Sequence, residues 1–168
     1  PLVKIPEWEK NIEDAYTMLE VYYHELLGAN IAWNQPCNKI ERFLTMIWNM
    51  SLVAFDQPRE VQVAIDSNDR LFIDVGTPGY VEFKTPPVGM KLPIQCWIHT
   101  HPFGDAYFSG TDWKTIDTWS TLMHNAIVLG DNEYWAYNVQ KEIVKQVNYG
   151  KMVSPASMDR KLLRTEEE

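Results

Sequence analysis

At Arg59 the spacing of apolar residues changes from a helical period of about 3.6 to the strand period of 2, and that switch limits what the chain can fold into. Upstream, "NIEDAYTMLEVYYHELL" (residues 11–27) brings Ile12, Tyr16, Leu19, Tyr23 and Leu26 round at three- and four-residue steps. Acids open this run and Gly28 follows it, the pattern of an amphipathic helix with a glycine stop. The stretch "GANIAWNQPCN" is turn-rich. Asn38 then suits the cap of a second helix, with Ile40, Phe43, Leu44, Ile47 and Trp48 on one stripe, ending before Pro58.

Downstream, "EVQVAID" alternates Val61, Val63 and Ile65 to one side, "SND" suits a hairpin turn and "RLFIDVG" supplies a partner strand. The segments "GYVEFKT" and "IQCWIH" predict further strands on either side of the Pro- and Gly-rich loop "PPVGMKLP". A third helix is expected over "DWKTIDTWSTLM", capped by Ser109 or Thr111, with Ile116, Trp119, Ser120 and Met123 along a face. "NAIVLG" is wholly apolar, which predicts a central strand, and "EYWAYNV" follows a "DN" turn as its neighbour. The polar end "VSPASMDRKLLRTEEE" predicts a tail or a loosely docked helix. Helices before, within and around a set of strands predict an α/β fold: a mixed β-sheet flanked by helices in two or three layers.

With 168 residues, the chain can bury one sizeable core without disulfides, and its two cysteines, Cys37 and Cys96, form no CxxC pair. Both are expected as buried free thiols. A net charge of -8 argues against a nucleic-acid partner, which needs a basic surface, and against anionic lipid. No apolar run reaches the ~20 residues of a membrane helix, and "PLVKIPEWEK" lacks the apolar region of a signal peptide. The expectation is a soluble, cytoplasmic protein with neither nucleic-acid nor membrane partner.

The segment "CWIHTHPFGDAYFSGTDW" (residues 96–113) concentrates metal-ligating side chains and contains no lysine or arginine. In an extended strand, His99 and His101 project to one face and Thr100 to the other, so two imidazoles can share one ion at the strand's carboxyl end. The next seven residues form a loop long enough to turn back, so that Asp112, early in the following helix, can return as a third ligand. Two imidazoles and one carboxylate leave a fourth position for water, the arrangement of a catalytic Zn²⁺. Amide hydrolysis also needs a proton carrier and a donor for the developing oxyanion. Ser109 suits the second task. For the first, Glu60 at the head of "EVQVAID" is the leading candidate, Glu82 in "YVEFKT" its rival, and Glu41 on the polar side of a helix a weaker one.

The run His99-Thr100-His101, seven residues, Ser109, two residues, Asp112 resembles H-x-H-x7-S-x2-D, the motif of the JAMM (MPN+, JAB) metalloproteases. The resemblance extends to the order of elements from about residue 37 to 140. It implies a JAB/MPN domain over residues 37–150, similar in fold to the cytidine deaminases, between an N-terminal helical extension (1–36) and a C-terminal tail (151–168). It further implies zinc held by His99, His101 and Asp112, Glu60 as general acid and base, and Ser109 supporting the oxyanion. The family cleaves peptide or isopeptide bonds, often after a ubiquitin-like tail, so a protein or peptide substrate, ubiquitin-like or other, is the expected partner. The short spacing here leaves no room for the insertions by which eukaryotic members grip ubiquitin, so the resemblance does not extend to substrate recognition.

A non-catalytic binding or scaffold module of the same fold is the alternative, although all the metal ligands of the motif are present. A zinc deaminase would need H-x-E and P-C-x-x-C, and neither occurs. Near the motif, Trp97, Trp113 and Trp119 suit either core packing or a substrate wall, with the core favoured for Trp97 and Trp119. Tyr107 and Phe108 either line a groove or anchor the loop. Asp105 in "FGD" suits a solvated turn, and His24 and His124 suit structural positions.

Overall fold

The computed structural model describes residues 7–10, 12–28, 33, 37–77, 79, 83, 86–131 and 133–148. Three helices, α1 (Glu7–Lys10), α2 (Glu13–Leu27) and α3 (Lys39–Val53), precede the hairpin β1 (Val61–Ile65) and β2 (Leu71–Val75). Next come β3 (Cys96–Thr100), α4 (Gly110–Trp119), β4 (Asn125–Leu129), β5 (Glu133–Asn138) and β6 (Ile143–Asn148). The strands form one mixed sheet in the order β2-β1-β3-β4-β5-β6. Only β3 and β4 are parallel, and α4 is the crossover that such a pair requires.

Local chemistry explains where the helices begin and end. Asn38 lies in extended backbone and its side chain accepts the Glu41 N–H at 2.8 Å, which starts α3. Helix α2 has Ile12 at its cap position, with nothing to offer a bare N–H. The turn between β1 and β2 fills the gap: Asp69 Oδ2 accepts the Asp14 N–H at 2.9 Å. At the other end, Gly28 takes the left-handed conformation (φ 65°) and closes α2 on the His24 carbonyl.

Alternation along the strands sorts the core into two faces. Val63, Ile65, Ile98, Ile127 and Leu129 pack with Leu19, Tyr23, Phe43 and Ile47 of α2 and α3. On the other side, Ala64, Trp97, Ala126 and Val128 pack with Ile116 of α4 and with Phe108 from the loop before it. The result is three layers: α2 and α3, the sheet, then α4. Every residue of β1 and β3 is buried, and β4 is buried along most of its length, as its unbroken apolar run predicts. No described helix is long and apolar enough to cross a membrane.

Two elements depart from the expected set. Helix α1 is a single turn that buries Trp8, too short to show a period. Strand β6 is a sheet edge exposed along most of its length, including Ile143 and Val144, so it has no buried face to impose alternation. Of the candidate strand at 79–85 only Gly79 and Phe83 are described, neither in a strand, and the tail at 151–168 lies outside the described residues.

A buried hydroxyl relay joins the layers. Thr100, on the opposite face from its flanking histidines, accepts the Val61 N–H at 3.0 Å and donates to Ser51 Oγ of α3 at 2.9 Å. Ser51 Oγ in turn donates to the Arg59 carbonyl at 2.6 Å. The start of β1 is thereby fixed against the end of β3. Thr100→Val keeps the shape but strands a buried N–H, so it should lower stability by about 1–3 kcal/mol. A urea midpoint that moves down with unchanged slope is the expected result.

Candidate metal centre

His99, one residue before the end of β3, is fully buried, its ring stacked on Trp97 at 4.4 Å between centroids. His101 follows and prolongs the parallel ladder by donating its N–H to the Leu129 carbonyl at 2.8 Å. The loop 102–108 then turns the chain back to Ser109, which is the cap of α4 in preference to Thr111. Ser109 Oγ accepts the Asp112 N–H at 3.1 Å and Asp112 Oδ2 accepts the Ser109 N–H at 2.9 Å, a reciprocal capping box.

That box aims the carboxylate. Asp112 Oδ2 lies 2.9 Å from His99 Nε2 and 3.2 Å from His101 Nε2. One ligand atom from each of the three residues falls within 4.8 Å of the others, so the group can hold a metal ion. Ligands at ~2.0–2.1 Å around a tetrahedral ion stand about 3.3 Å apart, close to the spacing between the carboxylate and each imidazole. Both ring nitrogens of His99 are buried, one facing the Asp112 carboxylate at 2.9 Å and the ring also facing the backbone of Ile127, contacts of imperfect hydrogen-bond alignment. The donor set and a buried imidazole with a carboxylate beside it fit a metal.

The electrostatics of the two histidines differ because their burial differs. Burial lowers the pKa of His99, and the Asp112 carboxylate only partly offsets it. For His101 burial again pulls down, but Asp112 and then Glu60 outweigh it and the pKa is raised. Burial pushes Asp112 up, yet the contacts with His101 and His99 prevail and hold it well below the usual carboxylate range. The backbone of Asp105 also hydrogen-bonds His101, orienting the ring.

Glu60 joins the group through strand pairing. Its N–H donates to the Thr77 carbonyl and its carbonyl accepts the Gly76 N–H, both at 2.8 Å, which extends the β1–β2 ladder by a residue. Because β1 runs antiparallel to β3, the head of one lies beside the tail of the other. Glu60 Oε1 comes 3.8 Å from His101 Nε2. A cleft of about 290 Å³ opens there, lined by Glu60, His101 and Ser109 together with Gly79, Phe103 and Tyr107.

The remaining candidates fall elsewhere. Glu41 is occupied in the α3 cap, accepting from Asn38 Nδ2 at 3.0 Å, and Glu82 lies outside the described residues. The Asp105 side chain is exposed and does not join the ligands. His24 is exposed on α2, and His124 lies just before β4; neither belongs to the group. Trp97 is core, and Trp119 is partly buried against Phe83 with its indole N–H on the Phe83 carbonyl. Tyr107 and Phe108 divide the two roles: Tyr107 sits in the cleft, its ring 5.0 Å from that of His101, while Phe108 is buried among Trp113, Trp135 and Tyr137. Cys96 is buried, its thiol pKa pushed up by burial, whereas Cys37 is only half-buried.

Gly130 escaped the sequence pattern. A Cβ there would stand 2.1 Å from the Ala106 nitrogen, so the end of β4 touches the backbone of the site loop and leaves no room for any side chain. Comparison of the chain with known protein families, curated proteins and solved structures gave no match.

Zinc added to metal-free protein should bind one equivalent and stabilise it by about 2.7 kcal/mol at a hundredfold excess over Kd. His99→Ala, His101→Ala and Asp112→Ala should each lose stoichiometric zinc in calorimetry, whereas Ser109→Ala, which only unbuttons the carboxylate, should weaken it about 10–100-fold. Gly130→Ala should weaken zinc as well, by displacing the loop, and its melting profile should show the same loss of zinc-dependent stabilisation.

Proposed function

We propose that the chain is a zinc-dependent hydrolase of the JAMM type, built on a JAB/MPN version of the α/β sheet, that cleaves a peptide or isopeptide amide. One observation carries this reading: His99, His101 and Asp112 converge with the motif's own spacing, and His101 faces a cleft that Glu60 and Ser109 also line. The two-nitrogen, one-oxygen donor set favours zinc with an open position over a closed structural site. Bound zinc supplies a Lewis acid and a water whose pKa falls toward ~7.

The protein's own residues supply the rest. Glu60 takes up a proton from the attacking water and delivers it to the leaving amine. Backbone pairing on both sides of its Cα keeps that carboxylate at the head of β1, beside His101. Ser109 Oγ already accepts the Asp112 N–H, so its own proton is left to donate to an oxyanion in the cleft. The capping box holds this hydroxyl and the Asp112 carboxylate in one rigid turn. The substrate is a protein or peptide, with ubiquitin-like tails among the candidates.

Glu60→Gln is the deciding variant. Zinc should stay bound at one equivalent while hydrolysis of peptide amides falls about 10²–10⁴-fold, with the loss in kcat. Undiminished hydrolysis would remove Glu60 from the proton transfer. Stoichiometric zinc with no amide cleaved by the unaltered protein would instead favour a binding module.

A further inference from the structure

We propose that Phe103 and Tyr107 form an aromatic clamp selecting substrates with a large apolar or aromatic side chain next to the scissile amide and rejecting acidic ones. The inference rests on the hydrolase reading and adds a substrate class to it. Residues of the loop between β3 and α4 divide sharply in exposure. Ala106 and Phe108 are buried, the first against Gly130 and the second in the aromatic cluster under α4. Those two contacts fix the loop, so its other rings are not needed to anchor it, and of them Tyr107 packs by its edge against the His101 ring.

Phe103 nevertheless remains 70% exposed and Tyr107 50% exposed, and both line the cleft that holds Glu60, His101 and Ser109. Two rings presented to solvent beside a candidate reaction centre are the signature of a recognition surface, since each gains contact area only when something covers it. Space for an occupant exists around them. Gly104, between the rings in sequence, and Gly79, also lining the cleft, each have no described residue within 4 Å of the place a side chain would take. A peptide backbone can therefore approach the cleft while one of its side chains lies against the rings that line it.

Charge fixes the other half of the specificity. Among the described residues, no lysine or arginine lines the cleft, and residues 96–113 contain none. Apart from the metal itself, no described group of the cleft offers a cation to an aspartate, a glutamate or a terminal carboxylate, and Glu60 repels all three. The bond attacked is thus one within a chain or on a side chain, not one bearing a free C-terminal carboxylate.

The test uses N-acetylated tetrapeptide amides whose second residue is phenylalanine, leucine, glycine or aspartate. Binding is measured by calorimetry to the zinc-loaded Glu60→Gln protein, and cleavage is measured with the unaltered protein. Phenylalanine and leucine peptides should bind about tenfold tighter than the glycine peptide, and the unaltered protein, which keeps the Glu60 carboxylate, should cleave the aspartate peptide least. Phe103→Ala and Tyr107→Ala should each pull that ratio toward one with zinc stoichiometry intact, and Tyr107→Phe should preserve it because the ring, not the hydroxyl, makes the contact. Equal binding of the four peptides, or a ratio unmoved by both alanine variants, overturns the clamp. Preferential binding with no cleavage would refute hydrolysis and leave the clamp standing; cleavage without preference would do the reverse.

Discussion

The antiparallel alignment of β1 with β3, locked by the Thr100 hydroxyl, is the constraint from which the site follows. Glu60 is 39 positions before His99 in the chain, yet the register that sets Gln62 opposite His99 leaves Glu60 at the same sheet end as His101. Backbone pairing alone weakens toward strand ends. The Thr100 relay acts there, satisfying the Val61 N–H and fastening it to α3 through Ser51. Since Thr100 faces α3 while its neighbours face α4, one strand serves both purposes: its even position holds the fold and its odd positions hold the candidate metal.

Asp112 shows a comparable economy. A serine and an aspartate three apart at a helix start would make a capping box in any protein. Here the oxygen that accepts the Ser109 N–H also faces both imidazoles, so the helix start that α4 needs anyway also orients a ligand. A carboxylate tied to its own backbone loses little further rotamer freedom when it takes an ion, which lowers the entropic cost of binding. The same box holds Ser109 at the lining of the cleft, which links the positions of both residues to one local motif.

Much of this was legible in the letters because it is local. Alternation marked β1, turn residues and β-rich composition marked β2, β3 and β5, Asn38 marked one helix start and Ser109 or Thr111 another, and a spacing of two in a strand put His99 and His101 on one side. What stayed hidden depends on contacts between distant segments. The cap of α2 comes from Asp69, 55 positions away, and the tightness at Gly130 exists only because the site loop crosses it. Strand β6 was silent because an edge exposed on both faces imposes no pattern. For Tyr107 and Phe108 the sequence offered two roles without an assignment, since which ring of adjacent aromatics turns inward is decided by Trp113, Trp135 and Tyr137.

Charge balance ties the centre to its chemistry. His99 is fully buried, and burial disfavours its charged form by more than the Asp112 carboxylate beside it favours that form, so burying the ring is a cost to folding. A divalent cation would remove that cost by taking a nitrogen lone pair. Asp112 and Glu60 bring two carboxylates to the cation's surroundings, so a filled site with neutral imidazoles would carry almost no net charge. A near-neutral site attracts no anion strongly and lets an uncharged amide approach without displacing counterions. On this argument the absence of lysine and arginine from residues 96–113 is a consequence of the site's electrostatics, because one more cation there would oppose the metal and draw in acids instead.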